Sequence, residues 1–202
     1  MTIPHREPGK TFRETSKEVL LFALRPLVRW LSVMRVRPDT LTVIGWGLAL
    51  CAAILFGLGY ARIAGLVMLT GGVFDALDGA VARETNRMSS FGAFLDSTLD
   101  RLSEAAVFVG LIFFYAGANR PSEALLAAVA MTFSILTSYT RARAEGLNIN
   151  CEVGLLERAG RVLILSVCSI AGLPTVGLGL VAVGALVTTA QRILHVRRAT
   201  RG

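Results

Sequence analysis

Charge is what this chain has least of. Only 17% of its 202 residues are Asp, Glu, Lys or Arg, while 53% are hydrophobic. A soluble domain of this length usually carries about 25% charged residues. The shortage points away from a globular domain with a large core and toward an integral membrane protein. Cysteine is also scarce. Cys51, Cys151 and Cys168 form an odd set without metal-ligand spacing; Cys51 and Cys168 lie in apolar runs and read as small packing residues. The net charge of +7 flanks apolar segments and builds no aromatic-interleaved basic patch, so nucleic acid is excluded as a partner. The opening "MTIPHREPGKTFRETSKE" is polar and mostly basic, unlike a cleavable signal peptide. No internal repeat is visible, which argues against an inverted-repeat transporter.

Long apolar runs are abundant. A membrane span needs about 20 apolar residues at about 1.5 Å each. Six runs meet that length, at roughly 40–60, 62–83, 90–116, 121–142, 154–173 and 175–195. The first opens on "RPDT" and the fourth on "RPSE", both helix-start signals. Before them, residues 11–36 contain the amphipathic "SKEVLLFALRPLVRWLSVM", where Arg25, Pro26 and Arg29 interrupt the apolar face. That pattern suits a helix lying on the membrane rather than crossing it. The expected architecture is therefore all-α: one domain over 1–202, an interfacial helix, then a six-helix bundle over about 40–195. Six spans put both termini on one side. That side collects the eight Lys and Arg residues of 1–40 together with Arg83, Arg87, Arg141, Arg143, Arg192, Arg197, Arg198 and Arg201. Only Arg62 and Arg120 fall in the opposite turns, so the basic side is cytoplasmic.

Against this background "FDALDGAVARETNRMSSFGAFLDSTLD", residues 74–100, carries four aspartates. Carboxylates in a span are expensive and mark function by default. Asp75 and Asp78 are three residues apart and Asp96 and Asp100 four apart, so each pair shares one helix face. A short polar turn joins the two segments, which are expected to be antiparallel neighbours. Gly79, Ala82 and Gly92 would let them approach closely. Four converging carboxylates repel unless something positive lies between them. Hard divalent cations such as Mg²⁺ take oxygen ligands and join carboxylates to substrate phosphates, and such metals serve in-line displacement at phosphorus. One carboxylate could instead take the proton of an attacking hydroxyl. A divalent-cation transporter is the rival from another class; the acids cluster at one surface with no matching set toward the other.

The pattern Asp75-x2-Asp78-Gly79-x2-Ala82-Arg83-x8-Gly92-x3-Asp96-x3-Asp100 specifies eight positions across 26 residues, and it resembles the CDP-alcohol phosphotransferase signature at every one. The resemblance implies a six-helix membrane enzyme, a homodimer, that displaces CMP from a CDP-linked substrate with a hydroxyl of a second one. It implies two Mg²⁺ or Mn²⁺ ions held by Asp75, Asp78, Asp96 and Asp100, with Asp100 as the base. It assigns the CDP-lipid site to Pro38, Asp39, Thr40, Leu41, Gly79, Arg83 and Ser89. At Gly79 the missing Cβ would let a nucleotide approach the backbone.

"DSTLDR", "SYTRARAEG", "GLLERAGR" and "TTAQR" are similar to the phosphatidylinositol phosphate synthases within that family. This implies CDP-diacylglycerol and inositol 1-phosphate as substrates, with the acceptor phosphate held by Ser138, Arg141, Arg161 and Arg192. Arginine within a span faces an interior or a wet cavity, and its planar fork matches phosphate. Arg143 and Arg158 read equally well as interfacial anchors, and Glu157 as a cap or a pairing partner. Arg141 stands where the actinobacterial enzymes carry lysine, and "LNINCEV" lacks their glycine-rich character. Glycerol 3-phosphate or another phosphorylated polyol therefore stays open as the acceptor.

Overall fold

The computed structural model describes residues 24–85 and 88–201. Residues 11–23 of the expected interfacial helix lie outside them, as does Arg87 of the polar turn. Among the described residues the chain is entirely helical: α1 over 24–33, α2 Pro38–Gly57, α3 Ala61–Glu84, α4 Ser90–Gly117, α5 Pro121–Glu145, α6 Arg158–Ile170 and α7 Pro174–Ala199. Proline stands in the first turn of α2, α5 and α7, where its missing N–H is no loss and its fixed φ suits a helix start. At α4 the Ser89 side chain accepts from the Gly92 N–H at 2.9 Å, satisfying one otherwise orphaned donor.

The helices pair as α2 with α3, α4 with α5 and α6 with α7, each through a three-residue turn: 58–60, 118–120 and 171–173. Every turn contains one residue at positive φ, namely Gly59, Asn119 and Gly172. The six helices then close into a ring, with α2 against α3, α3 against α6, α6 against α7, α7 against α5, α5 against α4 and α4 against α2. The expected neighbours α3 and α4 thus build no substantial seam of their own, because α2 lies against both. A Cβ on Gly110 of α4 would sit 2.1 Å from the Ala53 carbonyl oxygen of α2, so that crossing requires glycine. A Cβ on Gly79 would meet nothing closer than the Arg83 guanidinium at 3.5 Å, and one on Gly92 would meet the Ser89 hydroxyl at 3.0 Å. Neither glycine meets the backbone of a neighbouring helix, and both line a cavity.

The main core lies toward the short turns, where Phe56, Met68, Phe108, Leu111, Tyr115, Leu165 and Leu178 interlock. A smaller cluster of Val28, Leu31, Leu41, Leu77 and Val81 fastens α1 to α2 and α3. Trp30 and Val33 remain exposed on α1 and Met34 just after it, as an interfacial helix requires. Apolar side chains also cover much of the bundle's periphery, including Ile54, Leu66, Phe113, Leu125 and Val183.

Among the described residues four helices, α2, α3, α5 and α7, are long and apolar enough to cross a membrane. The other two helices of the ring, α4 and α6, differ for identifiable reasons. α4 has 28 residues, but Asp96, Asp100, Arg101 and Glu104 interrupt its apolar run. α6 has 13 residues, roughly 20 Å of helix, rather than the 154–173 read from the sequence. Residues 153–157 are instead drawn out of the helix. The Leu155 N–H donates to the Gln191 side chain and the Leu156 N–H to the Thr188 hydroxyl, both at 2.9 Å, while Gly154 takes φ 150°.

Substituting Gly110 with alanine should force α2 and α4 apart and cost roughly 1–3 kcal/mol. Gly179→Ala places its Cβ with nothing within 4 Å and is the control. Thermal unfolding in detergent should separate the two variants by several degrees; equal melting temperatures would refute the tight crossing.

Candidate active site at the open end of the helix ring

The carboxylates converge at the end of the ring opposite the short turns. One oxygen each from Asp75, Asp78 and Asp96 lie within 4.8 Å of one another. α3 supplies the first two and α4 the third, and the three- and four-residue spacings keep each pair on the inner face. The Asp78 Oδ2 accepts from the Thr42 hydroxyl of α2 at 2.6 Å, which fixes its orientation. Asp96 Oδ1 is buried without a hydrogen-bond partner. A compact, all-oxygen donor set with an unsatisfied inward atom fits a hard divalent cation.

Asp100 lies outside that triad. Arg158, the first residue of α6, places Nη1 2.7 Å from Asp75 Oδ2 and 2.8 Å from Asp100 Oδ1. It reaches the carboxylates directly and is no mere surface anchor. One turn deeper, Arg161 forms a two-pronged pair with Glu104, Nε to Oε1 at 2.6 Å and Nη2 to Oε2 at 2.9 Å, with both side chains almost fully buried. α4 therefore presents Asp96, Asp100 and Glu104 in successive turns, and α6 answers with Arg158 and Arg161.

Two cavities flank the aspartates. The first, about 200 Å³, is lined by Pro38, Asp39, Thr42, Asp78, Gly79, Ala82, Arg83, Ser89, Gly92 and Asp96 among others. It gathers five of the seven positions expected to hold a CDP-lipid. Of the other two, Leu41 is buried in the cluster that fastens α1, and Thr40 is exposed outside the lining. Thr42, one turn on from Asp39, takes their place. The second cavity, about 500 Å³, is lined by all four expected acceptor residues, Ser138, Arg141, Arg161 and Arg192, together with Asp96, Asp100, Arg101, Glu145, Glu157 and Arg158. Its five arginines outnumber its four acids, so it suits an anion. Arg192 donates to the Val153 and Thr137 carbonyls at 2.9 and 2.5 Å, and Arg141 to Glu145 at 2.8 Å. Asp96 borders both cavities.

Thr42, Glu104 and Arg158 were not singled out from the sequence as site residues. Their partners are 36, 57 and 83 residues away, beyond the reach of local spacing. The one available signal was that Glu104 continues the four-residue step from Asp96 and Asp100.

Carboxylates placed to hold a divalent cation, with a cavity on either side and arginines lining one of them, fit a metal-dependent group transferase. The chain belongs to the CDP-alcohol phosphatidyltransferase family, which it matches over residues 35–194. It is 37% identical to the phosphatidylinositol phosphate synthase of Cutibacterium acnes, across 87% of this chain and 93% of that one. It is 34% identical to the archaetidylinositol phosphate synthase of Pyrococcus horikoshii, across 87% and 91%. Its fold matches crystal structures of the Mycobacterium tuberculosis phosphatidylinositol phosphate synthase. The form with CDP-DAG bound superimposes with a TM-score of 0.77 at 31% identity, over 85% of this chain and 92% of that one. The form with manganese and citrate gives 0.76 at 32% identity, over 85% and 87%. Family and helices together make this a multi-pass membrane protein.

Thr42→Val keeps the side-chain shape and removes the hydroxyl that orients Asp78. Mn²⁺ affinity, followed by electron paramagnetic resonance, should fall roughly tenfold with the fold intact. An unchanged affinity would remove Thr42 from the site.

Proposed function

We propose that the chain transfers a phosphatidyl group from CDP-diacylglycerol to inositol 1-phosphate, with release of CMP, at the cytoplasmic face of the cell membrane. The observation that carries this reading is the pair of cavities meeting at Asp96: one lined by five of the seven CDP-lipid positions, the other rich in arginine and lined by the acceptor positions. The relatives' names differ in their lipid and share inositol phosphate, which supports that acceptor.

Asp75, Asp78 and Asp96 would hold Mg²⁺ or Mn²⁺, with Asp100 completing a site for a second ion. Bound there, the cations supply positive charge to the diphosphate. Arg83, folded back across Gly79, would pair with a phosphate oxygen of the nucleotide. In the other cavity Ser138, Arg141, Arg161 and Arg192 would hold the acceptor phosphate and present a ring hydroxyl to Asp100. Asp100 removes its proton as the oxygen attacks the β-phosphorus; the new P–O bond forms as the bond to the CMP oxygen breaks. One substrate is lipidic and the other water-soluble, which accounts for a site at the end of the bundle.

The whole of 1–202 is read as one domain with six spans, α4 and α6 crossing beside the four more apolar helices and α1 lying at the interface. The lysine and arginine asymmetry supports cytoplasmic termini and a cytoplasmic site. The homodimer follows the family resemblance.

Purified protein in detergent with Mg²⁺ and CDP-diacylglycerol should release CMP with inositol 1-phosphate, and far less with glycerol 3-phosphate, serine or free inositol. Reaction with glycerol 3-phosphate alone would overturn the acceptor assignment. Asp100→Asn should abolish turnover and leave CDP-lipid binding measurable by calorimetry; turnover near the wild-type rate would exclude Asp100 as the base.

A further inference from the structure

Arg158 is the one cation that touches the aspartate constellation from α6. A single nitrogen, Nη1, is shared between Asp75 on α3 and Asp100 on α4 at 2.7 and 2.8 Å. Holding two carboxylates from different helices on one positively charged atom is what a metal ion does. The guanidinium also forms part of two walls. It lines the cationic acceptor cavity, and it lines a narrow pocket of about 40 Å³ beneath the carboxylates together with Asp75 and Asp100. Its Nε is buried without a partner, so this pose leaves a donor unused.

We propose that Arg158 is a place-holding cation. It keeps Asp75 and Asp100 together before a second divalent ion binds, and that ion displaces its guanidinium into the acceptor cavity, where it engages the acceptor phosphate. The inference rests on the two-ion reading of the site. Without a positive group, Asp75 and Asp100 would repel each other across the ring. An arginine and a divalent ion cannot occupy the same point between them. Arg158 already borders the acceptor cavity, so withdrawal from the carboxylates needs only a change of side-chain rotamer. There its planar fork meets a phosphate with two parallel hydrogen bonds, including the Nε donor that is idle in the present pose. Second-ion binding and acceptor binding then help each other, and linkage requires the help to be equal in both directions. Arg158 is a positioning residue for the carboxylates and a phosphate ligand in turn.

The test uses the full chain in detergent, with Mn²⁺ titrated under electron paramagnetic resonance and inositol 1-phosphate or inorganic phosphate titrated by calorimetry. In the wild type one Mn²⁺ should bind tightly and a second more weakly, and either phosphate should tighten the second. Inositol 1-phosphate should do so more strongly than inorganic phosphate if the sugar ring adds contacts. R158Q should bind the second ion at least tenfold tighter in the absence of phosphate, and phosphate should no longer alter it. R158K retains a displaceable charge without the fork, so its second ion should tighten by a smaller factor; it decides the matter if R158Q does not fold. Second-ion affinities equal to wild type, or coupling that survives in R158Q, would overturn the role of Arg158. A single ion in both wild type and variants would overturn the displacement and leave the three-aspartate site standing. No Mn²⁺ binding in the wild type would remove the metal reading itself, and this inference with it.

Discussion

The fold depends on keeping acidic groups together at one end of an otherwise apolar helix ring. Asp75, Asp78 and Asp96 offer oxygens within 4.8 Å of one another. Two unit charges at that distance repel by roughly 3–4 kcal/mol at an effective dielectric constant of 20. Helices that carried such a cluster without compensation would spread apart. α6 prevents this by delivering Arg158 to Asp75 and Asp100, and α2 contributes the Thr42 hydroxyl to Asp78. The deeper Glu104–Arg161 pair ties α4 to α6 where the ring is already dry. Removing either member would strand a buried charge, a loss of about 3–5 kcal/mol in comparable settings. The same contacts that hold the ring closed therefore set the geometry of the site.

Helix order and the aspartate cluster were legible because they are local properties. Apolar runs bounded by proline and glycine mark α2, α3, α5 and α7 closely, and the three- and four-residue steps place the carboxylates on inward faces. The two cavities were foreshadowed by the family resemblance, which supplied the residues that line them. What stayed hidden was pairing at long range. Nothing in "GLLERAGR" says that Arg158 meets two carboxylates 83 and 58 residues earlier, nor that Arg161 is engaged by Glu104. The start of α6 was misread because residues 153–157 are apolar enough to continue a helix. The Leu155 and Leu156 N–H groups go to Gln191 and Thr188 of α7 instead.

The glycines show the same divide. Gly79 and Gly92 belong to the signature and are expected to ease helix approach, Gly79 also to admit a nucleotide; both line the 200 Å³ cavity. The contact between α2 and α4 needs Gly110, and that between α3 and α6 needs Gly65, whose Cβ would lie 2.7 Å from the Ser166 carbonyl. Neither stands out among the chain's 20 glycines. Close packing is a property of two surfaces, and only one of them is visible at a time along a sequence.

The three tight turns have a mechanical meaning. Each joins its two helices with only three residues, beside the main core. The connections at the other end are longer: residues 146–157 between α5 and α6 alone number twelve. The ring is thus pinned by short turns at one end and joined by longer connections at the other, where side chains of α7 hold residues 153–156 in place. A small change of helix tilt at the pinned end becomes a larger displacement at the carboxylates, since each helix acts as a lever. Such leverage would let the mouth adjust to the lipid headgroup proposed above while the core near the turns stays packed.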